Sequence, residues 1–301
     1  MSRLAISTVV TPDRFQYFIP PFVYCAKRAY PDAKVQVFVT GKIEKSCRHI
    51  LKRIPYTGWE LHENQFLNYP KNPYLTNALR LMIPESYHED CDYLYIPDVD
   101  FLLFSQSPSH VSFYANIMNQ TGLPYVAFRG PKKSFYRPEI TGKAAWKGVF
   151  KRVVIGNAMF RIPDWYKVTK RARKFYNDCM KRDVPDKFDN HRPGTYREYD
   201  EVLMCRILRM SHLQRPAKTN AYCNNEWRNN IYRDIHIGDF KFDERYHNDK
   251  KMKELLHPRN AAAFRTLEQE SVWKTVVDEC CGKSEKIDKM FRRLRKYVRA
   301  N

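Results

Sequence analysis

Residues 93 to 104 read Tyr-Leu-Tyr-Ile-Pro-Asp-Val-Asp-Phe-Leu-Leu-Phe, an apolar run that two carboxylates, Asp98 and Asp100, interrupt. A buried carboxylate is costly unless it is paired or binds a metal ion. In an extended segment, residues two apart point to the same side, so both side chains can face one point at the end of a buried strand. Two such oxygen ligands suit Mg²⁺ or Mn²⁺. The alternative is an ordinary turn between two short strands, since Asp is also favoured in turns.

Strand-like and helix-like segments alternate through the first half of the chain. Apolar, β-branched stretches predict strands at 4–10, 34–40 and 93–96. Apolar residues at helical spacing predict helices at 17–29 and 76–83. This alternation is typical of an α/β domain with a mostly parallel sheet flanked by helices. Ligands bind such sheets outside the carboxyl ends of the strands, where the two aspartates lie.

The same signals continue further along the chain. They predict strands at 125–128, 153–162 and 231–237, and helices ending near 181 and spanning 199–210. Asp164 is expected to be the N-cap of the first of these helices, because its side chain can accept hydrogen bonds from unpaired backbone N–H groups. We expect one α/β domain over residues 1–245 and a basic, helical C-terminal extension over 246–301.

The composition predicts a folded protein with an anionic partner. The 301 residues are 43% hydrophobic and 14% aromatic, which allows a large core and argues against disorder. The net charge of +20 suits nucleic acid, an anionic membrane surface or phosphorylated ligands. The eight cysteines contain no C-x-x-C pair, so we expect free thiols in a reducing compartment. Without a signal-peptide pattern, the protein is expected in the cytoplasm, at the periphery of a membrane if a basic helix docks there.

The C-terminal segment 284–301 is dense in Lys and Arg and carries Ile287, Phe291, Leu294 and Val298 at helical spacing. This pattern predicts an amphipathic helix with a basic polar face. Two outcomes remain open for it. The apolar stripe can pack on the domain with a solvated basic face, or the helix can dock on an anionic membrane surface.

Several segments carry a family resemblance. The stretch 80–84, Arg-Leu-Met-Ile-Pro, followed by the strand that ends in Asp98-Val99-Asp100, is similar to the "R-l-x-I-P" helix and D-x-D metal motif of GT-A-fold glycosyltransferases that use nucleotide sugars, particularly glycosyltransferase family 8. Further segments resemble this family in the same order, at 156–159 (Gly-Asn-Ala-Met), 200–203 (Asp-Glu-Val-Leu) and 236–241 (His-Ile-Gly-Asp-Phe-Lys). The resemblance covers residues 4 to 245. It departs from the family at the first strand, which lacks the usual Asp, and at the spacing after His236.

The resemblance implies transfer of a sugar from a nucleoside diphosphate sugar, a UDP-sugar, to a glycan or lipid-linked acceptor, with retention of configuration. Asp98, Asp100 and His236 would hold the metal, with Mn²⁺ favoured over Mg²⁺ by the imidazole ligand. Arg80 would neutralise charge that grows on the leaving diphosphate. Asp200 and Glu201 would lie on the sugar and acceptor side, as nucleophile or base. Donor contacts are expected from Thr8, Thr11, Tyr17, Arg80, Asp98, Asn157 and Lys241.

Two other functions compete with this one. A nucleic-acid-binding protein or metal-dependent nuclease would explain the basic charge and the Pro97-Asp98 pair. However, no E-x-K motif follows at a suitable distance, and the basic residues do not form a stripe with interleaved aromatic residues. A catalytically silent scaffold would not need Arg80, Asp98, Asp100 and His236 in this order. We therefore do not expect nucleic acid as a partner.

Overall fold

The computed structural model describes residues 3–13, 15–69, 73–107, 109–129, 154–181, 199–213, 234–241, 256 and 258–300. The strands are β1 (Leu4–Val10), β2 (Lys34–Val39), β3 (Trp59–His62), β4 (Tyr93–Pro97), β5 (Phe101–Leu102), β6 (Tyr125–Arg129), β7 (Val154–Arg161) and β8 (Ile235–His236). The helices are α1 (Ile19–Ala29), α2 (Lys45–Leu51), α3 (Pro73–Leu79), α4 (His110–Thr121), α5 (Ile162–Lys181), α6 (Tyr199–Met210), α7 (Pro258–Leu267), α8 (Ser271–Cys281) and α9 (Glu285–Ala300). Short 3-10 helices cover Gln16–Phe18, Arg80–Met82, Glu85–Tyr87 and Ile237–Lys241.

A six-stranded sheet with the order β3-β2-β1-β4-β7-β6 forms the centre of the protein. Strands β3, β2, β1 and β4 run parallel, whereas β7 is antiparallel to both β4 and β6. Strands β5 and β8 form a separate antiparallel pair. The predicted α/β class, with a mostly parallel sheet flanked by helices, is confirmed. The chain direction of β6 and β7 could not be predicted from the apolar periodicity, because parallel and antiparallel strands can show the same periodicity.

Helices cover both faces of the sheet. Strand β1 is buried along its whole length, which explains why it consists of apolar residues and two small hydroxyl residues, Ser7 and Thr8. One face packs on α1, α2 and the C-terminal helices, with Phe22 and Trp273 in its core. The other face packs on α3, α5 and α6, with Leu79 and Trp165 in its core. Because β4 is central in the sheet, the aspartates that follow it are positioned by packing on both sides.

The C-terminal helices belong to the first of these two layers. Trp273 of α8 is fully buried and its ring lies 5.5 Å from that of Tyr24. The apolar stripe of α9 is buried too, with Phe291 and Leu294 at 0% exposure, while Lys and Arg occupy its outer side. The structure therefore shows the packed arrangement of this helix. The predicted boundary at residue 245 lies outside the described residues and stays a prediction.

Three details differ from or complete the sequence predictions. Asp164 is not an N-cap, because α5 already begins at Ile162 and Asp164 lies in its first turn, where a negative charge suits the helix dipole. The strand predicted at 231–237 is formed only by Ile235–His236 in the part that the structure describes. Six cysteines are free thiols, as expected: Cys25, Cys47, Cys91, Cys179, Cys280 and Cys281. Among the described residues, no helix is long and apolar enough to cross a membrane.

A buried histidine links the sheet to α5. His88 is 0% exposed, and its Nδ1 and Nε2 atoms lie 2.9 Å from the Tyr166 hydroxyl and 3.0 Å from the Ser7 hydroxyl. Tyr166 donates its one hydroxyl hydrogen to the Ile83 carbonyl, so Nδ1 of His88 is the donor to the Tyr166 oxygen. The Ser7 hydroxyl, which faces Nε2, also donates to Gln36 Oε1 at 3.3 Å. Burial, assisted by the nearby charges of Lys34 and Arg173, lowers the pKa of His88 from 6.5 to about 3.

We expect His88 to make folding stability depend on pH in the acidic range. Its folded pKa is depressed, so its contribution is complete above the unfolded value near 6.5 and is lost as pH falls towards about 3. One such group changes the free energy of unfolding by up to about 1.4 kcal/mol per pH unit. In urea denaturation, the stability difference between wild type and His88→Gln should shrink as pH falls. A stability difference between wild type and His88→Gln that stays constant with pH would contradict this assignment.

Candidate metal and donor site

Asp98 and Asp100 lie in a tight turn at the carboxyl end of β4. The strand ends at Pro97, and the Phe101 N–H donates a hydrogen bond to the Asp98 carbonyl at 3.2 Å. The extended geometry expected from the spacing is therefore wrong. The turn nevertheless brings the two carboxylates together, because a chain reversal over these residues turns both side chains towards the same edge of the sheet.

His236 reaches the two aspartates through the pairing of β5 with β8, in which it lies opposite Phe101. The Ile237 N–H donates to the Asp100 carbonyl at 2.8 Å, which ties the two segments together. The Phe101 ring stacks on the imidazole with 4.6 Å between ring centres and 17° between planes. As a result, His236 Nε2 lies 3.2 Å from Asp100 Oδ1.

The three side chains fit a divalent cation. One ligand atom from each of Asp98, Asp100 and His236 lies within 4.8 Å of the other two. The side chains are 28%, 14% and 17% exposed, respectively, so a cation and a substrate could reach them. Gly238 keeps this space open, since a Cβ there would lie 2.4 Å from Asp100 Oδ2 and 2.8 Å from His236 Nε2. Two carboxylates and one imidazole form a mixed oxygen and nitrogen donor set suited to Mn²⁺ or Mg²⁺.

Arg80 contacts a metal-site carboxylate directly. Its side chain is 4% exposed and forms a short ion pair with Asp98. The 3-10 helix that carries it is held by Arg173 of α5, which donates to the carbonyls of Leu81 and Ile83 at 2.9 and 2.6 Å. The guanidinium thus compensates one of the two negative charges and fixes its orientation. A charge of this kind next to the site is also what a bound diphosphate would need.

A buried polar network next to the site was not found from the sequence. Asp234 is 1% exposed, accepts hydrogen bonds from the Phe104 N–H at 3.1 Å and the Tyr95 hydroxyl at 3.2 Å, and lies 3.7 Å from His110. The Tyr30 hydroxyl contacts the other ring nitrogen of His110. Burial raises the pKa of Asp234, which the charge of His110 opposes. The only sequence signal was a carboxylate two residues before His236 in an apolar segment, which repeats the pattern of Asp98 and Asp100.

The donor contacts expected from the first strand and first helix, Thr8, Thr11 and Tyr17, differ in their exposure and in their neighbours. Thr11 follows the carboxyl end of β1, which runs parallel and adjacent to β4, and is partly exposed. Thr8 is 1% exposed inside β1. Tyr17 is 7% exposed, and its hydroxyl donates to Glu44 at 2.7 Å and lies 2.6 Å from the Ser46 hydroxyl.

The structure describes the backbone positions of four further predicted residues. Asn157 of β7 lies opposite Pro97, directly before the first aspartate of the site. Asp200 and Glu201 lie in the first turn of α6, a helix that packs against α3 and β7. Lys241 ends the 3-10 helix that follows His236. Their proposed roles remain predictions.

No protein-family model matches the sequence, and no curated protein sequence matches it significantly. Several solved structures are similar. A galactosyltransferase, LgtC, in complex with donor and acceptor sugar analogues is 14% identical over 67% of this chain and 70% of its own, with a TM-score of 0.42. The glycosyltransferase GlyE of Streptococcus pneumoniae is 10% identical over 71% of this chain and 44% of its own (TM-score 0.39). Core-mannan synthase A of Aspergillus fumigatus, in its Mn/GDP form, is 9% identical over 68% and 69% (TM-score 0.38). With TM-scores this low, the function has to be inferred from the site itself.

We expect Gly238→Ala to weaken Mn²⁺ binding by at least about tenfold, the loss typical when the immediate surroundings of a metal site change. The added methyl group would occupy space within 2.4 Å of an Asp100 oxygen. Titration of free Mn²⁺ by electron paramagnetic resonance measures this directly. Gly282→Ala is the matched control, because a Cβ there has its nearest contact, the Asp278 carbonyl oxygen, at 3.4 Å and meets none of the three metal-site residues. Equal affinities for the two variants would argue against a cation at Asp98, Asp100 and His236.

Proposed function

We propose that the protein is a GT-A-fold glycosyltransferase that moves a sugar from a UDP-sugar to a glycan or lipid-linked acceptor. The observation that carries the proposal is the convergence of Asp98, Asp100 and His236 at the carboxyl end of a central strand, with Arg80 paired to Asp98. Open α/β sheets bind nucleotides at this edge. A site built for a divalent cation next to an arginine suits a diphosphate more than it suits a neutral ligand.

The chain's own residues would bind and orient the donor. A bound Mn²⁺, or Mg²⁺, would supply a Lewis acid that stabilises the leaving diphosphate. Arg80 pairs with Asp98 and orients its carboxylate, and its positive charge would stabilise the negative charge that grows on the leaving diphosphate. The stacked Phe101 ring holds the plane of the His236 imidazole, which limits the orientations that this ligand can adopt.

The remaining contacts follow from the positions of the elements. The nucleotide would lie across the carboxyl ends of β1 and β4, next to Thr11, with Thr8, Tyr17 and Lys241 as further candidate contacts. Asn157, opposite Pro97, would border the sugar. Asp200 and Glu201 would face the sugar and acceptor. We propose that they act in a transfer that retains the anomeric configuration of the sugar.

An anionic membrane surface is a further proposed partner. The C-terminal helix was one of two open candidates for this contact, and the apolar stripe of α9 is buried in the core. Any contact through α9 would therefore use only its exposed Lys and Arg side chains. Such binding is electrostatic and weakens at high salt.

We expect UDP together with Mn²⁺ to raise the melting temperature of the wild-type protein and not that of Asp100→Asn. A ligand present at about 100 times its dissociation constant stabilises the folded state by about 2.7 kcal/mol. Removing one carboxylate removes a metal ligand and, with it, the link between protein and diphosphate. The control is Asp164→Asn, which changes an exposed aspartate on α5 and should respond like wild type. Equal stabilisation of all three proteins, or stabilisation by UDP without metal, would contradict the proposal.

A screen for slow donor hydrolysis tests the sugar nucleotide. We expect release of UDP from at least one UDP-sugar in the presence of Mn²⁺, and no release of GDP from GDP-sugars, because water can replace an absent acceptor in such a site. Coupled detection of the free nucleotide measures the reaction. Hydrolysis that persists in Asp100→Asn would indicate a contaminating enzyme, and preferential hydrolysis of GDP-sugars would show that the UDP assignment is wrong.

A further inference from the structure

The outward side of α5 combines exposed apolar side chains with cations. Among the described residues, the exposed large hydrophobic side chains are Leu67 (64%), Val168 (42%) and Phe175 (52%). Two of them belong to α5, and Leu67 belongs to a loop that packs on it. The exposed cations of α5 are Lys167, Lys170, Arg171, Lys174 and Lys181. We call these eight side chains the α5 surface. Exposed apolar groups that cluster in this way mark interaction sites more often than exposed residues scattered singly.

Helix geometry determines how the α5 surface is arranged. Residues three, four and seven apart share a side of a helix, so Lys167, Arg171 and Lys174 form a central cationic stripe. Val168 and Phe175, two turns apart, lie along one edge of the stripe. The loop that carries Leu67 lies along the other edge, where the Tyr69 hydroxyl bonds to Asn177 and Lys181 Nζ lies 5.8 Å from the centre of the Tyr69 ring. The cations thus lie between two apolar edges.

We propose that the α5 surface docks on an anionic phospholipid bilayer. Leu67, Val168 and Phe175 would enter the boundary between headgroups and acyl chains, and the long Lys and Arg side chains would reach the lipid phosphates. Clusters of four to eight Lys and Arg are typical of surfaces that bind anionic headgroups. Here the apolar edges add a component that charge alone does not provide.

Two other occupants fit the α5 surface less well. Single-stranded nucleic acid binds through aromatic side chains that stack on bases, and two of the three exposed apolar residues, Leu67 and Val168, are aliphatic. A second copy of the chain, bound symmetrically, would bring two cationic stripes face to face, which costs free energy. A bilayer satisfies both the charge and the apolar edges.

The inner side of α5 connects this surface with the candidate site. Arg173 holds the carbonyls of Leu81 and Ile83, next to Arg80. One helix diameter, about 10 Å, therefore separates the proposed membrane plane from the segment that carries Arg80. Docking would keep the site close to a lipid-linked acceptor. This last consequence rests on the proposed function, whereas docking itself does not.

Helix α9 provides a matched control. It exposes Lys289, Arg292, Lys296 and Arg299, and an open groove of about 480 Å³ is lined by the last three together with Arg295. Its apolar stripe is buried, so α9 presents cations without exposed large apolar side chains. Replacing three cations on α9 removes as much positive charge as replacing three cations on α5, but it leaves the α5 surface unchanged.

The test is co-sedimentation of the full chain with vesicles of phosphatidylcholine, with and without phosphatidylserine. We expect binding only to the vesicles with phosphatidylserine. The variant Lys167→Gln, Lys170→Gln, Lys174→Gln should bind on the order of 100-fold more weakly, because each cation near an anionic surface contributes severalfold to affinity. The uncharged change Leu67→Ser with Phe175→Ser should also weaken binding, and both sites are exposed, so folding should be preserved. Lys289→Gln, Arg292→Gln, Lys296→Gln should bind like wild type.

Several results would overturn the proposal. These are no binding of the wild type to phosphatidylserine vesicles, an equal loss in the α9 variant, or unchanged binding after the two serine substitutions. Binding of an oligonucleotide that depends on the α5 cations, without vesicle binding, would instead identify nucleic acid as the partner. Stabilisation by UDP and Mn²⁺, measured on the same variants, should not change. Failure of docking and failure of the transferase proposal are therefore separate outcomes.

Discussion

Repulsion between two neighbouring carboxylates, Asp98 and Asp100, is the interaction on which the rest of the site depends. Like charges held together at the end of a buried strand stay ionised only if positive charge is supplied nearby. Arg80 supplies one such charge through its ion pair with Asp98. A divalent cation held by Asp98, Asp100 and His236 would supply the rest. The space that Gly238 leaves open is consistent with this requirement.

The site also requires that β5 and β8, which are far apart in the chain, stay paired in one register. The β5–β8 pair brings His236 to the aspartates, but it spans only two residues in each strand. Asp234 stabilises the β5–β8 pair. Its buried carboxylate accepts hydrogen bonds from the Phe104 backbone N–H and from the hydroxyl of Tyr95, a residue of β4. Strand β4 thus positions Asp98 and Asp100, which follow it, and also holds, through Tyr95 and Asp234, the segment that carries His236. A buried hydrogen-bonded network of this kind gives the rigidity that a metal site requires.

Much of the fold could be predicted from local pattern alone. Strand β1 and helix α6 occupy the predicted residues 4–10 and 199–210, because long, strongly periodic segments encode which side is buried. The chain direction of β7 could not be predicted, since it depends on how distant segments connect. For Asp98 and Asp100 the sequence allowed an extended segment or a turn, and the structure has the turn. In the first case the outcome depends on long-range packing. In the second, the turn preference of Asp outweighs the alternation of side chains expected in an extended segment.

The sequence by itself determined that this chain folds into a helix-flanked, mostly parallel sheet, and that two carboxylates in an apolar run need a compensating charge. Only the tertiary structure decided which groups surround them, and which apolar residues remain at the surface. Helices α5 and α9 are both amphipathic, yet Phe291 of α9 is buried and Phe175 of α5 is half exposed. Periodicity shows that a helix has an apolar side, but the neighbours that cover this side come from distant parts of the chain.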